Sequence, residues 1–234
     1  EIAQCLVGSE MCIRDSNKTA LLCRMPECLI STYQDNMPLA AELKADFEWA
    51  KSIAVGPGLS MNVAAAEITR CVLERDDKVR ILDADALNII AGEHIDYKGS
   101  REGQIIITPH IMEMSRLTGK TVADIKEHMI ESAKEYAIQH SCICILKDAR
   151  TVVTDGQKVY INCTGNDGMS TGGCGDVLTG LIAGMTAMGL DAFEAACLSV
   201  YVHGKAGDYA ASGKGRAGMT AADISEAIAY VLKR

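Results

Sequence analysis

The stretch Gly165-Asn166-Asp167-Gly168-Met169-Ser170-Thr171-Gly172-Gly173-Cys174-Gly175-Asp176 runs straight into the apolar segment Val177-Leu178-Thr179-Gly180-Leu181-Ile182-Ala183-Gly184-Met185. Five glycines fall within its first twelve residues. Without a Cβ, glycine lets a ligand reach the backbone N–H groups. A glycine-rich loop that feeds a helix presents unpaired amides and the positive end of the helix dipole. That combination is an anion site, and phosphate is its usual occupant. Asp176 closes the loop with a negative charge, so it reads as a base or a metal anchor rather than an anion binder. A flexible surface turn is the plain alternative, but such turns rarely need Gly-Gly-x-Gly abutting an apolar helix.

Outward from that loop, strands and helices alternate. Ala20–Cys23 reads as a short strand, and Pro38–Lys51 as a helix with Leu39, Leu43, Phe47 and Ala50 near one face. Ser52–Val55 is a buried strand ending at Gly56-Pro57-Gly58, followed by a helix over Asn62–Arg75. Val79–Leu82 is a strand ending at Asp83-Ala84-Asp85, and Gln104–Thr108 one ending at Pro109-His110. Helices follow over Ile111–Leu117 and Thr121–Gln139, then a strand over Cys142–Leu146 ending at Lys147. Thr151–Thr154 and Lys158–Ile161 flank Asp155-Gly156, a tight hairpin signal. Helical patterns over Gly175–Met188, Ala192–Ala211 and Ala221–Leu232 close the chain. The expected class is α/β: three layers, a mostly parallel central sheet with helices on both faces, and a late β-hairpin at one edge.

No repeat, linker or low-complexity stretch divides this pattern, so residues 19–234 are expected to form one domain. Residues 1–18 show no clear period. Val7–Ser16 resembles translated sequencing-adapter sequence, so the expectation is a non-native or disordered leader.

Of the 234 residues, 48% are hydrophobic and 23% charged, the profile of a soluble globular chain. The net charge of −8 argues against nucleic acid or an anionic membrane as partner. No apolar run reaches the ~18 residues of a membrane span. A bound phosphate must therefore be held by backbone dipoles and a few local cations. The ten cysteines form no Cys-x-x-Cys pair and no Cys/His ligand spacing. They read as small buried hydrophobes in a reducing cytoplasm, with no metal-ligating set among them.

In open α/β sheets, ligands sit beyond the carboxyl ends of the strands. Here each predicted strand ends in a polar or glycine-rich set. Gly56-Pro57-Gly58 either admits a ligand to the backbone or simply turns the chain. Asp85 suits a helix cap, which leaves Asp83 for substrate hydroxyls or a hydrated Mg²⁺. His110, with Glu113 one turn later, is either a structural group or a ligand contact. Lys147 either neutralises a nucleotide phosphate or stays solvated.

The motifs Val55-Gly56-Pro57-Gly58-Leu59, Asp83-Ala84-Asp85-Ala86-Leu87-Asn88, Thr108-Pro109-His110, Glu113-Met114-Ser115-Arg116-Leu117, Leu146-Lys147-Asp148-Ala149-Arg150-Thr151, Gly165 to Gly180 and His203-Gly204-Lys205-Ala206-Gly207-Asp208 occur in one order. Together they resemble the ADP/ATP-dependent NAD(P)H-hydrate dehydratases, which have a ribokinase-like fold. The resemblance implies a metabolite-repair lyase that returns hydrated nicotinamide cofactor, (S)-NAD(P)HX, to NAD(P)H, with ADP or ATP as co-substrate and Mg²⁺. It implies that Gly58, His110 and Asp176, with Asp83, meet the hydrated cofactor. Lys147, Asp148, Ala149, Arg150 and Thr151 would bind the nucleotide, together with Asn166, Asp167, Gly168, Met169, Ser170, Thr171, Gly172, Gly173, Cys174 and Gly175. Asp176 is implied as general base, and the enzyme as a homo-oligomer, a tetramer, in the cytoplasm.

Three departures stand out. Ser60 and Ile111-Met112 replace a glycine and a smaller residue. The family's initial strand and Ala/Gly-rich helix have no counterpart before Ala20, so the chain is expected to be an N-terminally truncated member. The rival readings are a ribokinase-like small-molecule kinase, of the thiazole or hydroxymethylpyrimidine type, and a non-catalytic nucleotide-binding module.

Overall fold

A computed structural model describes residues 10–14, 18–26, 28–33, 43–100 and 104–233. It places a six-stranded sheet at the centre of the chain. In order across the sheet these are β3 (Ser52–Val55), β4 (Val79–Leu82), β5 (Ile105–Ile107), β6 (Ile143–Leu146), β7 (Val152–Thr154) and β8 (Val159–Ile161). The first four run parallel, and β7 and β8 add antiparallel strands at one edge.

Side chains on a strand alternate between faces, and both faces of the inner strands are buried. Leu82, Ile105, Ile107, Cys144, Leu146 and Val152 pack on one face. That layer holds α3 (Val63–Leu73), α4 (Ala84–Gly92), α5 (Ile111–Thr118), α6 (Val122–Glu127) and α7 (Met129–His140). Ile81, Ile106, Ile143, Ile145 and Val153 pack on the other face, against α8 (Cys174–Ala187) and α9 (Ala192–Lys214). The last helix, α10 (Ala221–Val231), lies against α9. The three expected layers and the late hairpin are present.

Several sequence expectations need correction. Ala20–Cys23 is not a strand but part of α1 (Lys18–Arg24), because a short run of Ala and Leu carries strong helix propensity and no decisive period. The helix expected over Pro38–Lys51 is described as α2 (Lys44–Trp49), and Pro38 and Leu39 lie outside the described residues. Glu10–Arg14, within the leader expected to be non-native or disordered, forms β1, which pairs in parallel with β2 (Leu29–Tyr33). The helix expected over Thr121–Gln139 breaks at His128, whose φ of −125° and ψ of 48° leave the helical region.

Cys142 and Cys144 are buried on one face, as their spacing predicts, and burial pushes both thiols up. Cys23 and Cys163 are exposed, against the expectation of uniformly buried thiols. Among the described residues no helix is long and apolar enough to cross a membrane.

Candidate active site

The carboxyl ends of β4, β5 and β6 and the N-terminus of α8 converge. Asp83 leaves β4 and occupies the N-cap position of α4, yet its side chain does not cap that helix. It is 1% exposed, with both oxygens engaged. Lys147 Nζ donates to Oδ1 at 2.8 Å and Thr179 Oγ1 donates to Oδ2 at 2.7 Å. Burial alone would push this carboxyl up, but the Lys147 charge and these hydrogen bonds outweigh it and hold the pKa below the usual range. Asp83, expected to meet the substrate, thus has both oxygens of its carboxylate paired inside the fold.

Asp85 does not cap a helix either. Its Oδ2 accepts from the Ser60 amide at 2.7 Å, which ties the turn after β3 to the start of α4. Ser60 has a φ of +70°. A residue with a side chain is uncommon in that left-handed region, which is why glycine is the expected occupant here. Gly58, with a φ of +64°, stands open on the same turn. Gly56 has no such freedom. Its φ is +126°, and a Cβ there would overlap the Asp83 carbonyl oxygen.

His110 is the N-cap of α5. Its Nδ1 accepts from the Glu113 amide at 3.2 Å, and its own amide donates to Glu113 Oε2 at 2.8 Å. This reciprocal capping fixes the ring at the mouth of the sheet, half exposed. Burial, then the Lys147 and Arg116 charges, lower its pKa, so it stands neutral near pH 7 with Nδ1 as an acceptor. Lys147 continues from β6, its amide donating to the Pro109 carbonyl at 2.8 Å. Asp148, Ala149 and Arg150 follow as an exposed loop, and the Thr151 carbonyl accepts from the Asn162 amide at 2.9 Å.

Gly173, at a φ of +86°, turns the chain into α8 without a side-chain cap. Val177 bonds back to the Gly173 carbonyl at 3.1 Å, and no hydrogen bond occupies the Gly175 and Asp176 amides among the described residues. A Cβ on Gly175 would stand 3.5 Å from Lys147 Nζ and 3.8 Å from Asp83 Oδ2, so the start of α8 lies directly against the Lys147–Asp83 pair. Asp176 is exposed in the first turn of α8. Burial and then the Asp83 charge raise its pKa, with Lys147 partly opposing. That shift moves the carboxylate toward the range in which it accepts a proton readily.

The other arm of the loop is built on α9. Asn166 caps a short 3₁₀ turn over Asp167–Met169, its Oδ1 accepting from the Gly168 amide at 3.1 Å. Asp208 accepts from the Gly165 amide at 3.0 Å and from Asn166 Nδ2 at 3.1 Å. Asp167 turns outward to Arg216 at 3.1 Å, while Ser170, Thr171 and Gly172 lie along the open rim and Cys174 is buried beneath it. Sequence reasoning misses Thr179 and Asp208 as site residues. Thr179 lies one turn after Asp176 on the same helix face, a signal that could have found it.

A family model described as NAD(P)H-hydrate dehydratase matches residues 7–230. The chain belongs to that family. A bifunctional NAD(P)H-hydrate repair enzyme Nnr of Moorella thermoacetica is 45% identical over 183 residues, covering 77% of this chain and 34% of that protein. An ADP-dependent (S)-NAD(P)H-hydrate dehydratase of Neisseria meningitidis serogroup B is 31% identical, covering 94% of this chain and 73% of that one. The solved ADP/ATP-dependent NAD(P)H-hydrate dehydratase of Bacillus subtilis, co-crystallized with ATP/Mg²⁺, superposes with a TM-score of 0.81 at 28% identity. That match covers 98% of this chain and 82% of the other. The fold is thus ribokinase-like, as the motifs implied. The chain spans between 34% and 42% of the length of the first bifunctional relatives it matches.

Proposed function

We propose that this chain carries out the nucleotide-dependent dehydration of (S)-NAD(P)HX to NAD(P)H. The observation that carries the reading is the meeting of Asp176, with its raised pKa, the free Gly175 amide and the Asp83-held Lys147 at one opening. Family membership supplies the substrate class.

Hydroxide is a poor leaving group, so the C6 hydroxyl of the hydrated ring must be converted before it can depart. In this reading Asp176 takes the hydroxyl proton as the oxygen attacks the terminal phosphorus of ADP or ATP. The bond to the nucleotide's bridging oxygen breaks, leaving AMP or ADP. The Gly172–Gly175 amides and Lys147 stabilise charge on the transferred group, since such transfers depend mostly on positioning and electrostatics. The ring nitrogen lone pair then expels phosphate from C6, and loss of a C5 proton completes the dihydronicotinamide. Gly58 and His110 border the face on which the nicotinamide would lie. Lys147–Thr151 and Asn166–Gly175 would hold the nucleotide.

The residues fit Mg²⁺ that arrives on the nucleotide rather than in a protein cage. Among the described residues no three acids, histidines or cysteines gather, and Asp176 is the unpaired carboxylate at the opening. When bound, Mg²⁺ would neutralise phosphate charge. We further propose a homo-oligomer, a tetramer, supported by the exposed Leu198 and Tyr201 on α9. A cytoplasmic setting is supported by the buried thiols of Cys142, Cys144 and Cys174, which form no disulfide among the described residues.

The test is recovery of the reduced-nicotinamide absorbance from hydrated NADH and NADPH, with Mg²⁺ and either ADP or ATP. Recovery that requires a nucleotide is expected and identifies which one. A stable phosphorylated product without recovery of absorbance would instead make the protein a small-molecule kinase.

A further inference from the structure

We propose that Asp208 is a positioning residue for the nucleotide site, holding Gly165–Met169 in the shape that receives ADP or ATP. The inference rests on the nucleotide reading above. A glycine-rich segment loses more conformational entropy on ordering than any other, so a loop of this composition needs external anchors to stay shaped. Here the anchors are explicit. One Asp208 oxygen takes the Gly165 amide at 3.0 Å, and the other takes Asn166 Nδ2 at 3.1 Å. Asn166 passes the constraint on, because its own oxygen accepts from the Gly168 amide at 3.1 Å. Three hydrogen bonds thus run from α9 through the first half of the loop.

The donor and acceptor pattern admits little variation. Asn166 accepts from Gly168 through Oδ1 and donates to Asp208 through Nδ2, which its amide does with two separate atoms. Asp208 faces two donors, which calls for a group that accepts on both oxygens. The backbone of α9 is brought close enough for this by small residues. A Cβ on Gly204 would stand 2.7 Å from the Thr164 carbonyl carbon, and one on Gly207 would overlap the Met169 thioether. At a φ of +100°, Gly165 itself takes a conformation that side chains disfavour. The arrangement is a clamp between α9 and the loop, closed by Asp208.

The experiment compares the full chain with Asp208→Asn and with the exchange Asn166→Asp plus Asp208→Asn. Affinity for Mg·ADP is read by calorimetry and amide exchange over Gly165–Met169 by mass spectrometry. Asp208→Asn can still serve the Gly165 amide but turns an amino group toward Asn166. We expect about ten-fold weaker ADP binding and faster exchange in the loop, the effect of about one unsatisfied hydrogen bond. The exchange restores a donor opposite an acceptor, so it should recover affinity to within about three-fold, a residue of about 0.6 kcal/mol. A protein with only a structural need for Asp208 would show a lower melting temperature with unchanged ADP affinity, and that result overturns the proposal. So would a double variant as weak as the single one. A wild-type chain that binds no ADP overturns the nucleotide reading and the proposal together, whereas a wild type that binds and variants that bind equally overturn the role of Asp208 alone.

Discussion

Lys147 Nζ lies 2.8 Å from Asp83 Oδ1, and Thr179 holds the second oxygen of that buried carboxylate. The pair joins the ends of β4 and β6, which are separated in the sheet by β5, and pulls α8 onto them. An acid at this depth is tolerated because two donors satisfy it. The cation it holds stands beside Gly175 at the start of α8.

Removing one partner of such a pair leaves a buried charge uncompensated. Asp83→Ala should lower unfolding free energy by ~3–5 kcal/mol in urea titrations. Asp83→Asn should fold better yet lose turnover by about a hundred-fold, because a displaced Lys147 misplaces the phosphoryl group. The folded pKa of Asp83 is depressed, so its contribution to stability is present above the unfolded value and fades as pH falls through the folded one. Wild type should therefore lose its margin over Asp83→Asn below about pH 4, the ordinary aspartate range. An unchanged difference between pH 7 and pH 3 would refute this.

Asp176 faces a different test. Asp176→Asn removes the base and keeps the shape, so turnover should fall by about 10²–10⁴-fold. The ADP dissociation constant should shift no more than a few-fold. Equal loss of ADP binding would make Asp176 an anchor for metal or structure instead of a base.

Two glycines that look alike in the sequence should respond oppositely to alanine. Gly56→Ala meets both a φ of +126° and the Asp83 carbonyl, so the variant should fail to fold or melt far below wild type. A methyl group on Gly172 would meet nothing within 4 Å, so Gly172→Ala should melt with wild type. Differential scanning calorimetry of the two variants decides the contrast.

His203, on α9 beneath the loop, is 8% exposed, and its Nε2 has no hydrogen-bond partner among the described residues. Burial, with a smaller push from Lys147, lowers its pKa to about 4. The unfolded chain takes up this proton near pH 6.5 while the native state does not, so stability should fall as pH drops from about 6.5 to about 4. A shift of that size corresponds to about 3 kcal/mol. His203→Gln should flatten the slope of unfolding free energy across that window. A variant with the wild-type slope would assign the acid lability elsewhere.

Much of this is legible in the chain. The segments Ser52–Val55 and Val79–Leu82 end where β3 and β4 end: Ile53 and Val55 are buried on the edge strand β3, and Ile81 and Leu82 on the inner strand β4, so the apolar residues mark both strands. The strand-end residues His110 and Lys147 bridge side by side beyond β5 and β6, at the sheet edge where the topology of such folds gathers ligands. What stays hidden depends on distance along the chain. Thr179 meets Asp83 across 96 positions, and Asp208 meets Gly165 across 43, pairings that no local pattern encodes. The role of Asp83 is hidden for the same reason, since a surplus acid looks free until its partners are placed. The Ala20–Cys23 segment misleads differently, because four residues contain too few turns or alternations to separate helix from strand.

Asp176 and Thr179 ride on one rigid rod. Rolling α8 far enough to withdraw the carboxylate from the opening would also pull the Thr179 hydroxyl off Asp83 and release the grip on Lys147. Asp176 and Lys147 are therefore geared to each other, so a roll of α8 cannot displace the one and leave the other in place.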